Sequence, residues 1–185
     1  MRRPTITVGL LFFTMNRLFF CLLGLISIVF AQAAKLSDMY IVKNLPDAKL
    51  YFVFENKLQG IKNTDYIKYD LTYCDSKDSV SVKMSVYQKN LCTIDSLAFC
   101  NGYERYVTIP SLLYQEQSRK KWLGRYDNIV PFSFINQTFS SPQPLIIYTY
   151  SQGKITMFGM SKSQWKNFSR KMQDILEMIQ INKRK

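Results

Sequence analysis

The chain of 185 residues contains no histidine. That absence removes the usual general base near neutral pH, the Ser/His/Asp and Cys/His nucleophile systems, and the commonest ligand of zinc, copper and iron. Glycine is scarce, with 7 residues and no G-x-G-x-x-G or Walker-type loop, so no nucleotide-phosphate cradle is written in the sequence. There is no C-x-x-C pair, and Cys74, Cys92 and Cys100 are separated by 17 and 7 residues, which matches no zinc module. No metal and no cofactor are expected. The groups left for catalysis are the Cys74 thiol and the acids Asp65, Asp70, Asp75, Asp78, Asp95, Glu104, Glu116 and Asp127, scattered among strands and loops.

Long apolar runs are also lacking, with one exception. RLFFCLLGLISIVFAQAAKLSD, residues 17 to 38, carries an arginine, a 13-residue apolar segment from Leu18 to Phe30, and small residues at Ala31, Ala33 and Ala34. This order matches a secretory signal, with cleavage between Ala33 and Ala34. Met15 stands just ahead of the segment as a possible alternative start. The competing reading is an uncleaved anchor, since Leu18 to Ala34 reaches the lower length limit for a spanning helix. Cys21 lies among phenylalanines and leucines, unlike the small-residue setting of a lipobox cysteine.

With residues 1–33 removed, 34–185 form one domain of ordinary size, whose 22 Lys plus Arg outnumber 13 acids. A net charge of +9 suits an acidic protein, a polysaccharide or an anionic headgroup, or simply solubility. In an oxidising compartment three cysteines leave one thiol over. Cys92 and Cys100 are the preferred disulfide, because they bracket CTIDSLAFC, a segment expected to reverse direction; Cys74 with either remains open.

The rest of the chain alternates. SVSVKMSVY (79–87) and YIKYDLTYC (66–74) have period two and flank a polar connector, which predicts an antiparallel hairpin. Leu50, Phe52 and Phe54 mark an earlier strand, and Tyr103 to Ile109 another. LIIYTY and KITMFGM flank Ser151-Gln152-Gly153, a second hairpin with glycine at the turn. Pro110 and Ser111 open a weakly amphipathic helix through LLYQEQSRKKW. From Ser163 onward Trp165, Phe168, Met172, Ile175, Leu176 and Ile179 form one helical stripe opposite Lys166, Arg170, Lys171, Asp174 and Glu177. Together these predict an α+β fold: an antiparallel sheet of about six or seven strands, a short middle helix, and a long C-terminal amphipathic helix packed on the sheet.

The strongest candidate for binding is RKKWLGRY, where Arg119, Lys120, Lys121 and Arg125 surround Trp122 and Tyr126. Such a mixture pairs with phosphates or carboxylates while stacking on a ring. Outside the cytoplasm it points to polysaccharide, headgroup or acidic protein rather than nucleic acid. Its structural alternative is a solvated helix end with Trp122 buried beneath. By elimination the chain reads as a noncatalytic binding protein of the bacterial periplasm or envelope, of inhibitor, immunity or assembly type. An exported enzyme using carboxylates or Cys74 and an anchored envelope protein are the alternatives. Sequencing the N-terminus of chain purified from secreting cells is expected to return Ala34, and retention of Met15 or Met1 would instead support the anchor.

Overall fold

Alternation governs most of the structure. The computed structural model describes residues 38–61 and 64–183, so the expected leader, the expected cleavage between Ala33 and Ala34 and the alternative start at Met15 lie outside the described residues. β3 (Tyr66–Cys74) and β4 (Ser79–Gln88) form the antiparallel hairpin that their period predicts, burying Ile67, Tyr69, Leu71 and Tyr73 against Val80, Val82, Met84 and Val86. β9 (Ile146–Ser151) and β10 (Lys154–Gly159) form the second hairpin. Its two turn residues, Gln152 and Gly153, both have positive φ, at 48° and 75°, as a type I′ turn requires.

The remaining strands are β1 (Tyr40–Asn44), β2 (Lys49–Gly60), β5 (Ser96–Cys100), β6 (Arg105–Thr108), β7 (Ser111–Ser118) and β8 (Lys121–Pro131). Two helices complete the described chain, α1 (Phe132–Ser140) and α2 (Lys162–Lys183). Ten strands therefore share one antiparallel sheet, and the expected α+β layout with six or seven strands is overturned. The molecule is mostly β, curled into a half-barrel. Four strands escaped the sequence reading: β1, β5, β7 and β8.

The expected helix from Pro110 to Trp122 is instead β7, a tight turn and the start of β8. Its weak helical stripe lost to pairing with β8, which is itself held along its length by β4, from Ser79↔Pro131 to Gln88↔Trp122. The short helix lies further on, where Phe134, Ile135, Thr138 and Phe139 turn inward at helical spacing. In β2 the inward residues are Tyr51 and Val53, not Phe52 and Phe54. A bulge between Val53 and Asn56 shifts the phase so that Leu58 also points in.

Along the sheet the strand order is β6-β5-β9-β10-β2-β3-β4-β8-β7, with β1 beside the first half of β2. The two terminal strands, β6 and β7, are consecutive in the chain and joined only by Ile109 and Pro110. Laid flat, nine strands at about 4.8 Å spacing would put them roughly 38 Å apart. Three Cα steps span at most about 11 Å. The sheet must curl until its ends meet. Side chains bridge the approach: the Tyr106 hydroxyl donates to the Ile129 carbonyl at 3.2 Å, the Ile94 N–H to the Tyr126 hydroxyl at 3.2 Å, and the Gln115 amide to the Cys92 carbonyl at 3.2 Å.

Helix α2 opens with a capping box, in which Ser161 Oγ accepts from the Gln164 N–H and Gln164 Oε1 accepts from the Ser161 N–H. It buries Trp165, Ser169, Met172, Ile175, Leu176 and Ile179, while Phe168 is only half-buried. Trp165 stacks on Phe139 at 5.5 Å and donates its indole N–H to the Ser141 carbonyl at 3.0 Å, tying α2 to the end of α1. At the other end Lys183 reaches Asp78 in the β3–β4 turn, at 2.6 Å. Among the described residues no helix is long and apolar enough to cross a membrane. Trp165→Ala removes the largest fully buried side chain, and urea unfolding is expected to show a loss of about 3 to 5 kcal/mol.

Candidate functional site

The outer face of β3 and β4 carries the residues that alternation turns to solvent. Tyr66 lies opposite Tyr87, and their rings stack with centroids 4.4 Å apart and planes 17° from parallel. Lys68 lies opposite Ser85 on one side and Lys57 of β2 on the other. Two ammonium groups sit over the Tyr66 ring, Lys57 at 4.4 Å and Lys121 at 4.8 Å from its centroid. Lys121 also donates to the Thr64 carbonyl. A cation over a ring face is held by the quadrupole of the ring, which fixes these long side chains without neutralising them.

The β7–β8 hairpin overhangs this floor. Ser118 pairs with Lys121, leaving Arg119 and Lys120 as a two-residue turn. Tyr66, Lys68, Tyr87, Ser118, Arg119, Lys120 and Lys121 line an open cavity of about 610 Å³. Arg119 holds a φ of 58°, a left-handed conformation normally given to glycine or asparagine. Both Arg119 and Lys120 are exposed.

The other half of RKKWLGRY goes elsewhere. A strand turns successive side chains to opposite faces, so Trp122 and Tyr126 share the inner face with Gly124 and Asn128, away from the cavity. Tyr126 is buried: its ring folds back over Gly124, where a Cβ would come within 2.7 Å of it. Burial pushes its hydroxyl pKa up, opposed by the hydrogen bond from the Ile94 backbone. Trp122 is half-buried. Arg125 is on the outer face but committed, paired with Asp70 and donating to Ser85 Oγ at 2.8 Å. The structure thus gathers Arg119, Lys120 and Lys121 into one site and leaves Trp122, Arg125 and Tyr126 out of it.

Lys57, Tyr66, Lys68 and Tyr87 were missed as site residues, although their signal was present. The alternation places Tyr66, Lys68 and Tyr87 on the polar face, and a hairpin centred between Ser76 and Lys77 pairs Tyr66 with Tyr87. What sequence could not supply was the β7–β8 turn arriving above them.

Six of the eight candidate carboxylates are engaged within the fold. Asp75 accepts from the Lys49 N–H at 2.8 Å, Asp65 from the Lys89 N–H at 3.1 Å, and Asp95 from the Gln152 N–H at 2.8 Å. Asp127 accepts from Ser81 Oγ at 2.5 Å, and Asp78 pairs with Lys183, whose bond and charge hold the Asp78 carboxyl below its ordinary pKa. Asp70 and Asp127 both lie opposite Lys83, so a cation stands between them. Among the described residues no three acids or cysteines gather as a metal site would require.

Cys74, Cys92 and Cys100, the cysteines of the described residues, are unpaired in the structure. The segment from Cys92 leads into β5, which ends at Cys100. Cys92 Sγ lies 2.6 Å from Ser151 Oγ and Cys74 Sγ 3.1 Å from Ser76 Oγ. Burial pushes the Cys100 thiol pKa up, partly countered by the Arg105 charge, which leaves less of the nucleophilic thiolate.

Comparison with family models, with curated proteins and with solved structures found no match to this chain. Arg119→Gly relieves the left-handed turn. Denaturant unfolding of this variant is expected to show a gain of about 1 kcal/mol, and a loss would mean that the arginine side chain is needed by the fold itself.

Proposed function

We propose that this chain is a noncatalytic binding protein acting in the bacterial periplasm or outside the cell, and that it takes an anionic ligand between the β7–β8 turn and the Tyr66–Tyr87 stack. The observation that carries this reading is the cavity, whose lining joins Lys68, Arg119, Lys120 and Lys121 to two aromatic rings and contains no acid. Lys121 and Lys57 are held in place over Tyr66 before any ligand arrives, so little side-chain entropy remains to be lost on binding. Arg119 and Lys120 project from the turn and supply the adjustable charge. An acidic protein segment, an acidic polysaccharide or a headgroup would each find charge complementarity here. The engaged acids favour binding over turnover.

Titration of the protein with tetragalacturonate, an acidic peptide and inorganic phosphate, followed by tyrosine fluorescence, tests the site. At least one probe is expected to bind in low salt, to be recovered chemically unchanged, and to weaken about tenfold or more with Arg119→Glu, Lys120→Glu and Lys121→Glu combined. Equal affinity in that variant would refute the site, and conversion of a probe would refute the noncatalytic reading.

A further inference from the structure

The first half of α2 carries Lys162, Lys166, Arg170 and Lys171, and no acid occurs between Ser161 and Gln173. All four cations are exposed. None forms an ion pair among the described residues. Physical chemistry favours the reverse arrangement, because the N-terminal end of a helix dipole is positive and attracts acids. Lys162, Lys166 and Arg170 also follow one another at i, i+4 and i+8, where like charges repel. The acids of this helix, Asp174 and Glu177, stand in its second half. Positive charge is concentrated where the helix itself would reject it.

We propose that this exposed face of α2 is a second docking surface, separate from the cavity, and that its partner is a flexible acidic polysaccharide. Four features select that occupant. The cations extend about 13 Å along the helix axis and turn through roughly half its circumference, a convex array that a flexible chain follows and a flat bilayer touches along one line. The apolar stripe of α2 is turned into the core, with Trp165, Met172, Ile175, Leu176 and Ile179 buried, so nothing is left to insert into lipid. The face presents no exposed ring to stack bases or to anchor a protein partner. Ser163 and Asn167 lie exposed among the cations and offer hydrogen bonds to sugar hydroxyls.

Retention on immobilised heparin and on polygalacturonate tests the surface, using Lys162→Gln/Lys166→Gln/Arg170→Gln. The matched control removes the same charge from exposed lysines elsewhere, as Lys43→Gln/Lys77→Gln/Lys154→Gln. The helix variant is expected to lose about tenfold or more in affinity for both polymers, with its melting midpoint unchanged or raised, while the control keeps most of its binding. Equal losses in the two variants would overturn the proposal in favour of net charge alone. So would unchanged retention of the helix variant, or a loss confined to vesicles of 30% phosphatidylglycerol. The charge-reversed turn variant, run in parallel, reports on the cavity independently.

Discussion

Two residues, Ile109 and Pro110, set the curvature of the sheet. They join the strands at opposite ends of the sheet, and a connector that short permits no flat arrangement. Curling creates an inside, and the inside is where the apolar residues of β2, β3, β4, β8 and β9 converge with α1 and α2. The same curl exposes the outer face of β3 and β4 as a continuous surface, over which the β7–β8 turn projects. Core and candidate site are thus two consequences of one closure.

The outer face is not uniformly positive. Toward its middle, Asp70 pairs with Arg125, and Lys83 lies opposite both Asp70 and Asp127. Opposite charges in neighbouring strands cancel there and support the pairing. At the other end, Lys57 and Lys121 gather over the Tyr66 ring of the tyrosine stack. A local concentration of this kind raises the positive potential at one end of the sheet rather than spreading it over the whole face.

Charge at both surfaces is carried against local preference. Arg119 holds a left-handed turn position that a glycine would fill with less strain, and α2 begins with lysines where acids are favoured. Neither choice helps the fold. Residues that break a local rule without a structural return are characteristic of surfaces shaped by what they bind. Elsewhere the chain obeys its local rules, as in the capping box at Ser161 and Gln164 and the type I′ turn at Gln152 and Gly153.

The sequence by itself determined the elements whose periodicity is strong and whose partners are near. β3 and β4 alternate over their whole length and pair through a four-residue connector, and the stripe from Trp165 to Ile179 could bury itself only as a helix. It also determined that basic residues crowd at 119 to 121. Tertiary structure decided the rest. β7 reads as a poor helix because its sequence pattern is weak, and it becomes a strand only because β8 stands beside it, held in turn by β4 more than thirty residues earlier. That non-local pairing parted Trp122 and Tyr126 from their basic neighbours, since a strand alternates faces where a helix end would have grouped them. It also set Arg119, Lys120 and Lys121 above Tyr66 and Tyr87. Local periodicity is carried by adjacent side chains, whereas the meeting of distant strands depends on the closure of the whole sheet.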